Sequence, residues 1–136
     1  MTYFLAKSEP ATYSLADLAR DKQTTWDGVR NPQALKAIRS MKKGDTMLIY
    51  HSGGESAIVG WAKMVSDARP DPKDAKLAVV DVQYGGEFPE PTTLAQVKTS
   101  GMFPNFALVR QSRLSTMEVP EEFVEWLRAR YPKTKF

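Results

Sequence analysis

The hydropathy period of this chain changes at Gly44, and that change limits the fold more than any other feature. Before it, Leu35, Ile38 and Met41 recur at helical spacing while Lys36, Arg39 and Lys43 point elsewhere. After it come apolar runs of strand length, Thr46 to Tyr50, Ala57 to Val65 and Leu77 to Tyr84. Consecutive strands with helices at the edges indicate an α+β domain, built as a small mixed β-barrel with peripheral helices. No linker, repeat or low-complexity tract interrupts residues 1–136, which read as a single domain.

Local signals place the remaining elements. Tyr3 to Lys7 is a short strand ended by Ser8-Glu9-Pro10. Ser14-Leu15-Ala16-Asp17 has capping-box spacing and starts a helix through Arg20. Asn31 before Pro32 starts the next helix, since Asn caps exposed amides and Pro at the first helical position loses no needed hydrogen bond. Gly44 is expected to close it as a C-cap. His51 to Gly54 is a loop, and Gly60 suggests a bulge or a close backbone approach. Arg69-Pro70-Asp71-Pro72 reads as a turn, and Gly85-Gly86 as the end of the third strand. Thr92 to Ser100 is expected to be helical and Phe106 to Arg113 extended. Pro120 opens a last helix with Phe123, Trp126 and Leu127 on one stripe.

Composition removes several function classes. The chain has no cysteine, which excludes disulfide scaffolds, zinc fingers, iron–sulfur clusters and thiol catalysis, and its one histidine, His51, excludes a multi-His metal site. No metal or cofactor is expected. No apolar run approaches membrane-spanning length and Met1 leads into Tyr3-Phe4-Leu5-Ala6 without a basic flank. The expected location is the cytoplasm, or the nucleus in a eukaryote, with the protein a monomer.

The net charge of +3 says little, but its distribution is uneven. From Arg20 to Lys43 seven basic residues face two acidic ones, whereas Gly53 to Val97 holds four basic against seven acidic. An electropositive region suits an anionic partner on one side, with Lys36, Arg39 and Lys43 as candidate contacts to a nucleic-acid backbone. A solvated helix face is the plain alternative.

Three polar clusters fall at strand ends: Lys7-Ser8-Glu9-Pro10, Trp26-Asp27-Gly28-Val29-Arg30-Asn31 and Tyr50-His51-Ser52. A tryptophan beside carboxylates and an arginine suits a flat heteroaromatic ligand. The indole stacks, Asp or Glu accepts from an exocyclic amine, and Arg or Lys holds a phosphate. Each residue also has a structural reading. Trp26 can be core, Asp27 can cap the Gly28 turn, Arg30 can pair with Glu9, and Ser14 is a helix cap; Trp61 and Trp126 are packing residues. A hydrolase using Ser8 or Ser52 with His51 and Asp27 has the residue types of a triad, but no nucleophile-elbow glycines surround either serine. Gly53-Gly54 and Gly85-Gly86 match no phosphate loop or dinucleotide fingerprint.

These clusters, with Tyr13-Ser14, Asp17-Leu18, Met41-Lys42-Lys43-Gly44-Asp45, Ile58-Val59-Gly60 and Arg110-Gln111-Ser112-Arg113-Leu114-Ser115, resemble the EVE domain family in order and over nearly the whole chain. The resemblance implies a PUA-like β-barrel and a non-catalytic pocket that reads modified bases, often modified cytosines, in DNA or RNA. Carried over, Lys7, Ser8 and Glu9 form one pocket wall. Trp26, Asp27 and Val29 belong to the base-contacting run, Arg30 and Asn31 lie at the rim, and Tyr50, His51 and Ser52 close the opposite side. One departure is Pro32, where many members carry an aromatic residue. The sequence reading is thus a non-enzymatic nucleic-acid-binding module for a modified base, with a small-molecule nucleotide or nucleoside sensor as the alternative.

Overall fold

The computed structural model describes residues 1–136. In chain order the elements are β1 (Tyr3–Ser8), α1 (Leu15–Asp21), β2 (Gln23–Trp26), α2 (Pro32–Arg39), β3 (Thr46–His51), β4 (Ala57–Met64), β5 (Arg69–Asp71), β6 (Asp74–Thr93), α3 (Leu94–Ser100), α4 (Ala107–Arg110), β7 (Thr116–Glu118) and α5 (Glu121–Arg130). The strands form one sheet in the order β2-β6-β4-β3-β1-β7, with β5 paired to β6. No helix is long and apolar enough to cross a membrane.

The sheet is α/β mixed but open, which corrects the expected barrel. Closure needs a ladder between the outermost strands, β2 and β7, and none forms. Both edges are short, and α2 packs against β7 and β6 instead of leaving them to meet. All pairings are antiparallel except β1 with β3, which run parallel from Tyr3↔Thr46 to Ser8↔His51. Strands buried on both faces read as continuous apolar runs, and β1 and β3 do so. Tyr3, Leu5, Leu48 and Tyr50 join a cluster with Phe123, Val124 and Leu127 of α5. Phe4, Ala6, Met47 and Ile49 turn the other way, onto Leu15 and Leu18 of α1 and Leu35 and Ile38 of α2. The sheet thus has a helical layer on each face.

Several local expectations hold. Ser14 caps α1 in a reciprocal box with Asp17, and Asn31 Oδ1 accepts from the Gln33 and Ala34 amides at the start of α2. Leu35, Ile38 and Met41 are buried. Gly44 is not the cap, however: α2 ends at Arg39 with Ser40 as C-cap, and Gly44 (φ +96°) sits in the following turn. Residues 69–71 are strand β5 rather than a turn, because Pro70 in a short edge strand paired only with β6 costs little pairing. The 106–113 segment holds helix α4 where extended chain was expected.

Gly85 and Gly86 do not end a strand; β6 runs through them for 20 residues. The reason is Trp61 on the neighbouring strand. A Cβ on Gly85 would lie 2.4 Å from Trp61 Cδ1, and one on Gly86 2.5 Å from Cη2. The indole lies across the glycine backbone and packs on Phe88 at 5.0 Å between ring centroids. Gly60 makes the close approach its sequence suggested, since a Cβ there would meet the Gly86 carbonyl at 2.4 Å.

Candidate nucleic-acid interface

The parallel pairing of β1 with β3 brings two of the three polar clusters together, because Lys7 lies opposite Tyr50 and Ser8 opposite His51. β2 ends at Trp26 on the far edge of the sheet, and the 27–31 segment returns to the same end before α2 begins. Between them lies a cavity of about 380 Å³ lined by Lys7, Ser8, Glu9, Trp26, Asp27, Val29 and Arg30. Gly28, within the second cluster, also lines it, and sequence reasoning missed the other walls, Thr12, Tyr13, Thr24, Thr25 and Ser115. Single hydroxyl residues carry no signal of their own, and Thr24 and Thr25 are recognisable only by their place beside Trp26 on β2.

Trp26 is half-buried, with part of its ring on the α1–α2 core and part facing the cavity. Val29 touches the cores on both faces of the sheet and so anchors the loop. Glu9 and Arg30 are exposed and form no ion pair with each other, and Asp27 is likewise unpaired. Gly53 (φ +81°) lets the 51–54 loop press on Glu9: a Cβ there would come within 2.8 Å of Oε1. The acceptors thus stand free of cations at the cavity mouth.

Other predicted site residues build the wall from behind. Tyr50 is buried, with the Lys7 Nζ 5.4 Å from its ring centroid, and burial raises the phenol pKa above its usual value. Burial lowers the Lys7 pKa from its usual value, while Nζ donates to the Ser112 carbonyl at 3.0 Å. His51 Nε2 accepts from the Leu15 amide at 3.0 Å, and burial lowers its pKa. That bond spends the lone pair a hydrolytic base would need. Ser8 Oγ donates to the Tyr13 carbonyl, and the Ser52 amide donates to the Ser8 carbonyl. Tyr50, His51, Ser52 and Asn31 do not line the cavity. No three His, Cys, Asp or Glu side chains converge to hold a metal.

The three basic residues expected on one face of α2 and its exit separate. Lys36 faces the groove between α2 and β7, and Arg39 turns the other way to donate to the Lys76 carbonyl at 2.7 Å. Lys43 lies beyond the helix, its amide bonded to Asp67.

The fold is thus an open mixed sheet with a polar, tryptophan-sided cavity at its strand ends, and residues 2–130 match the EVE domain model. The chain belongs to the EVE domain family. It is 33% identical to human thymocyte nuclear protein 1, the match spanning 89% of this chain and 70% of that protein. Among solved structures it resembles a Rhodopseudomonas palustris protein (TM-score 0.91, 32% identity, 100% of this chain and 97% of that one). It also resembles human THYN1 solved in complex with 5-methylcytosine-containing DNA (TM-score 0.88, 27% identity, 99% and 100% covered).

Proposed function

We propose that this domain binds nucleic acid without catalysing a reaction and recognises a modified base, foremost a modified cytosine, in the cavity beside Trp26. What carries the reading is the cavity's chemistry: one exposed indole face next to two carboxylates with no cationic partner. Trp26 stacks on the base, a contact worth about 1–3 kcal/mol. Asp27 and Glu9 accept from the exocyclic amine, and Arg30 holds a phosphate at the rim. Lys7, Ser8 and Val29 shape the wall. Tyr50, His51 and Ser52 act through Lys7, the start of α1 and Ser8, and Asn31 acts by fixing the loop to α2. Of the three basic residues at α2, Lys36 meets an outer phosphate, while Arg39 turns away from it and Lys43 lies beyond the helix. The likeness to a protein solved with 5-methylcytosine DNA supports the choice of ligand class. The domain works as a monomer in the cytoplasm, or in the nucleus of a eukaryotic source.

The cavity volume also admits a free nucleoside, the second reading. Fluorescence anisotropy with DNA and RNA oligonucleotides, modified and plain, separates the two, since only a polyanion gives a steep salt dependence. Asp27→Asn keeps the shape and one acceptor, so it should lower discrimination between modified and plain base while leaving salt-dependent binding. If folded Asp27→Asn and Trp26→Phe match the parent on both kinds of oligonucleotide, the cavity is not the reader.

A further inference from the structure

A second cavity, of about 330 Å³, lies between α2 and the segment from Leu114 to Glu118. It adjoins the first on both sides. On one bank the chain passes from Arg30, at the rim of the first, through the Asn31 cap to Gln33 at the second. On the other bank Ser115 lines the first while Leu114 and Thr116 line the second. We infer that this groove is a subsite for the nucleotide next to the base read beside Trp26, so that the domain reads sequence context as well as a modification. The inference rests on the base-reading function proposed above.

Its chemistry suits one nucleotide. Gln33, Lys36, Ala37 and Ser40 form a single stripe of α2 at helical spacing. Half-buried Ala37, beside the buried floor residue Leu114, offers apolar contact to a base face. The Gln33 side-chain carboxamide makes no hydrogen bond within the protein, its backbone amide being the one held by Asn31, and it presents a donor beside an acceptor, the pattern that reads a base edge. Lys36 has no carboxylate within ion-pairing distance and is free to meet a phosphate. Exposed Arg113, one residue beyond Leu114, is equally unpaired. At the far end stands Glu118, opposite Phe4 in the β1 ladder and three rungs from Ser115, which lies by Lys7. Its charge disfavours a further phosphate, so the groove takes one nucleotide and no more. A volume near 330 Å³ lies at the small end of ligand sites, as a single nucleotide requires.

The experiment uses the full chain and short oligonucleotides carrying 5-methylcytosine, with each of the four bases, or an abasic site, placed in turn at the position before and after it. The parent should favour one base on one side by about fivefold or more, with the abasic oligonucleotide weakest. Gln33→Ala should flatten that preference while keeping the ratio of modified to plain cytosine. Lys36→Gln should lower the slope of log affinity against log salt by about 0.7–0.9, the loss of one phosphate contact. A parent that discriminates the modified base yet binds every flanking base and abasic site alike overturns the subsite and leaves the base reader standing. A parent indifferent to the modification overturns the base-reading function first, and the subsite with it.

Discussion

Gly86→Ala tests the seat that β6 makes for Trp61, and its cost follows from the geometry. The added Cβ would sit 2.5, 2.6 and 3.1 Å from Trp61 Cη2, Cζ2 and Cζ3, where carbon atoms at rest keep about 3.5–4.0 Å. The ring cannot simply tilt away, because Phe88 and Phe136 pack on it at 5.0 and 6.0 Å between centroids. Overpacking of this kind costs about 1–3 kcal/mol, and the smaller chain entropy of alanine returns up to about 1 kcal/mol. A net loss of about 1–2 kcal/mol remains. With an unfolding entropy of about 2.1 cal/mol/K per residue, thermal unfolding should fall by about 3–7 °C. The cause is separable by a cycle with Trp61→Leu, which removes the rings the new methyl meets. In that background Gly86→Ala should be close to neutral. Gly60→Ala should stay harmful in it, since its Cβ meets the Gly86 backbone carbonyl at 2.4 Å and Leu15 Cδ2 at 2.5 Å, neither of which belongs to the indole. Calorimetry showing Gly86→Ala as stable as the parent, or equally harmful without the indole, refutes the reasoning.

The half-buried, hydrogen-bonded His51 is favoured neutral in the folded chain, its pKa held below the usual 6.5 by partial desolvation. Its contribution is therefore complete above about pH 6.5 and is lost as pH falls through the folded value, so denaturant titrations at pH 7.5 and 5.5 should show the parent weakening. His51→Gln, whose side-chain oxygen can also accept from Leu15, should weaken less between the same two pH values. Asn31→Ala removes the acceptor of two amides at the start of α2 and should cost about 1 kcal/mol, whereas Asn31→Asp should hold parental stability; thermal melts distinguish them. Trp26→Ala should lower affinity for a modified oligonucleotide by about 1–3 kcal/mol, read by anisotropy, with circular dichroism confirming that its half-buried ring was not needed for folding.

Elements with a local chemical cause could be read from the sequence. Ser14 and Asp17 cap each other, Asn31 and Pro32 begin a helix, and the doubly buried β1 and β3 show continuous apolar runs. Features that depend on a distant partner could not. Gly85-Gly86 punctuates a chain read alone, and only Trp61, brought alongside by β4, makes the pair a strand interior. β2 has one apolar residue, Trp26, and is a strand because β6 offers it a ladder from Gln83 to Val80. Nothing in the hydropathy says whether outer strands meet, so the open edge was invisible. At the site, Trp26-Asp27 and Lys7-Ser8-Glu9 were legible because several chemistries coincide in a short run. The bond from the Leu15 amide to His51 was not, since it joins residues 36 apart.

The one parallel pair in the sheet sets the order in which the molecule can be made. β1 leaves the core at Ser8, and its partner β3 begins at Thr46, so the whole of α1, β2 and α2 must be looped out before the two can zip. That loop closure comes early in the chain and carries a large entropy cost. The same crossover holds Trp26, Asp27 and Arg30, while β1 holds Lys7 and Ser8. The cavity therefore has no partial form: in a chain that has not closed β1 on β3 the two sets of lining residues stand apart. A bound ligand would stabilise the closed chain as a whole by mass action rather than one loop of it. Amides at the centre of β1 and β3, far from any bound base, should then gain hydrogen-exchange protection together with those lining the cavity.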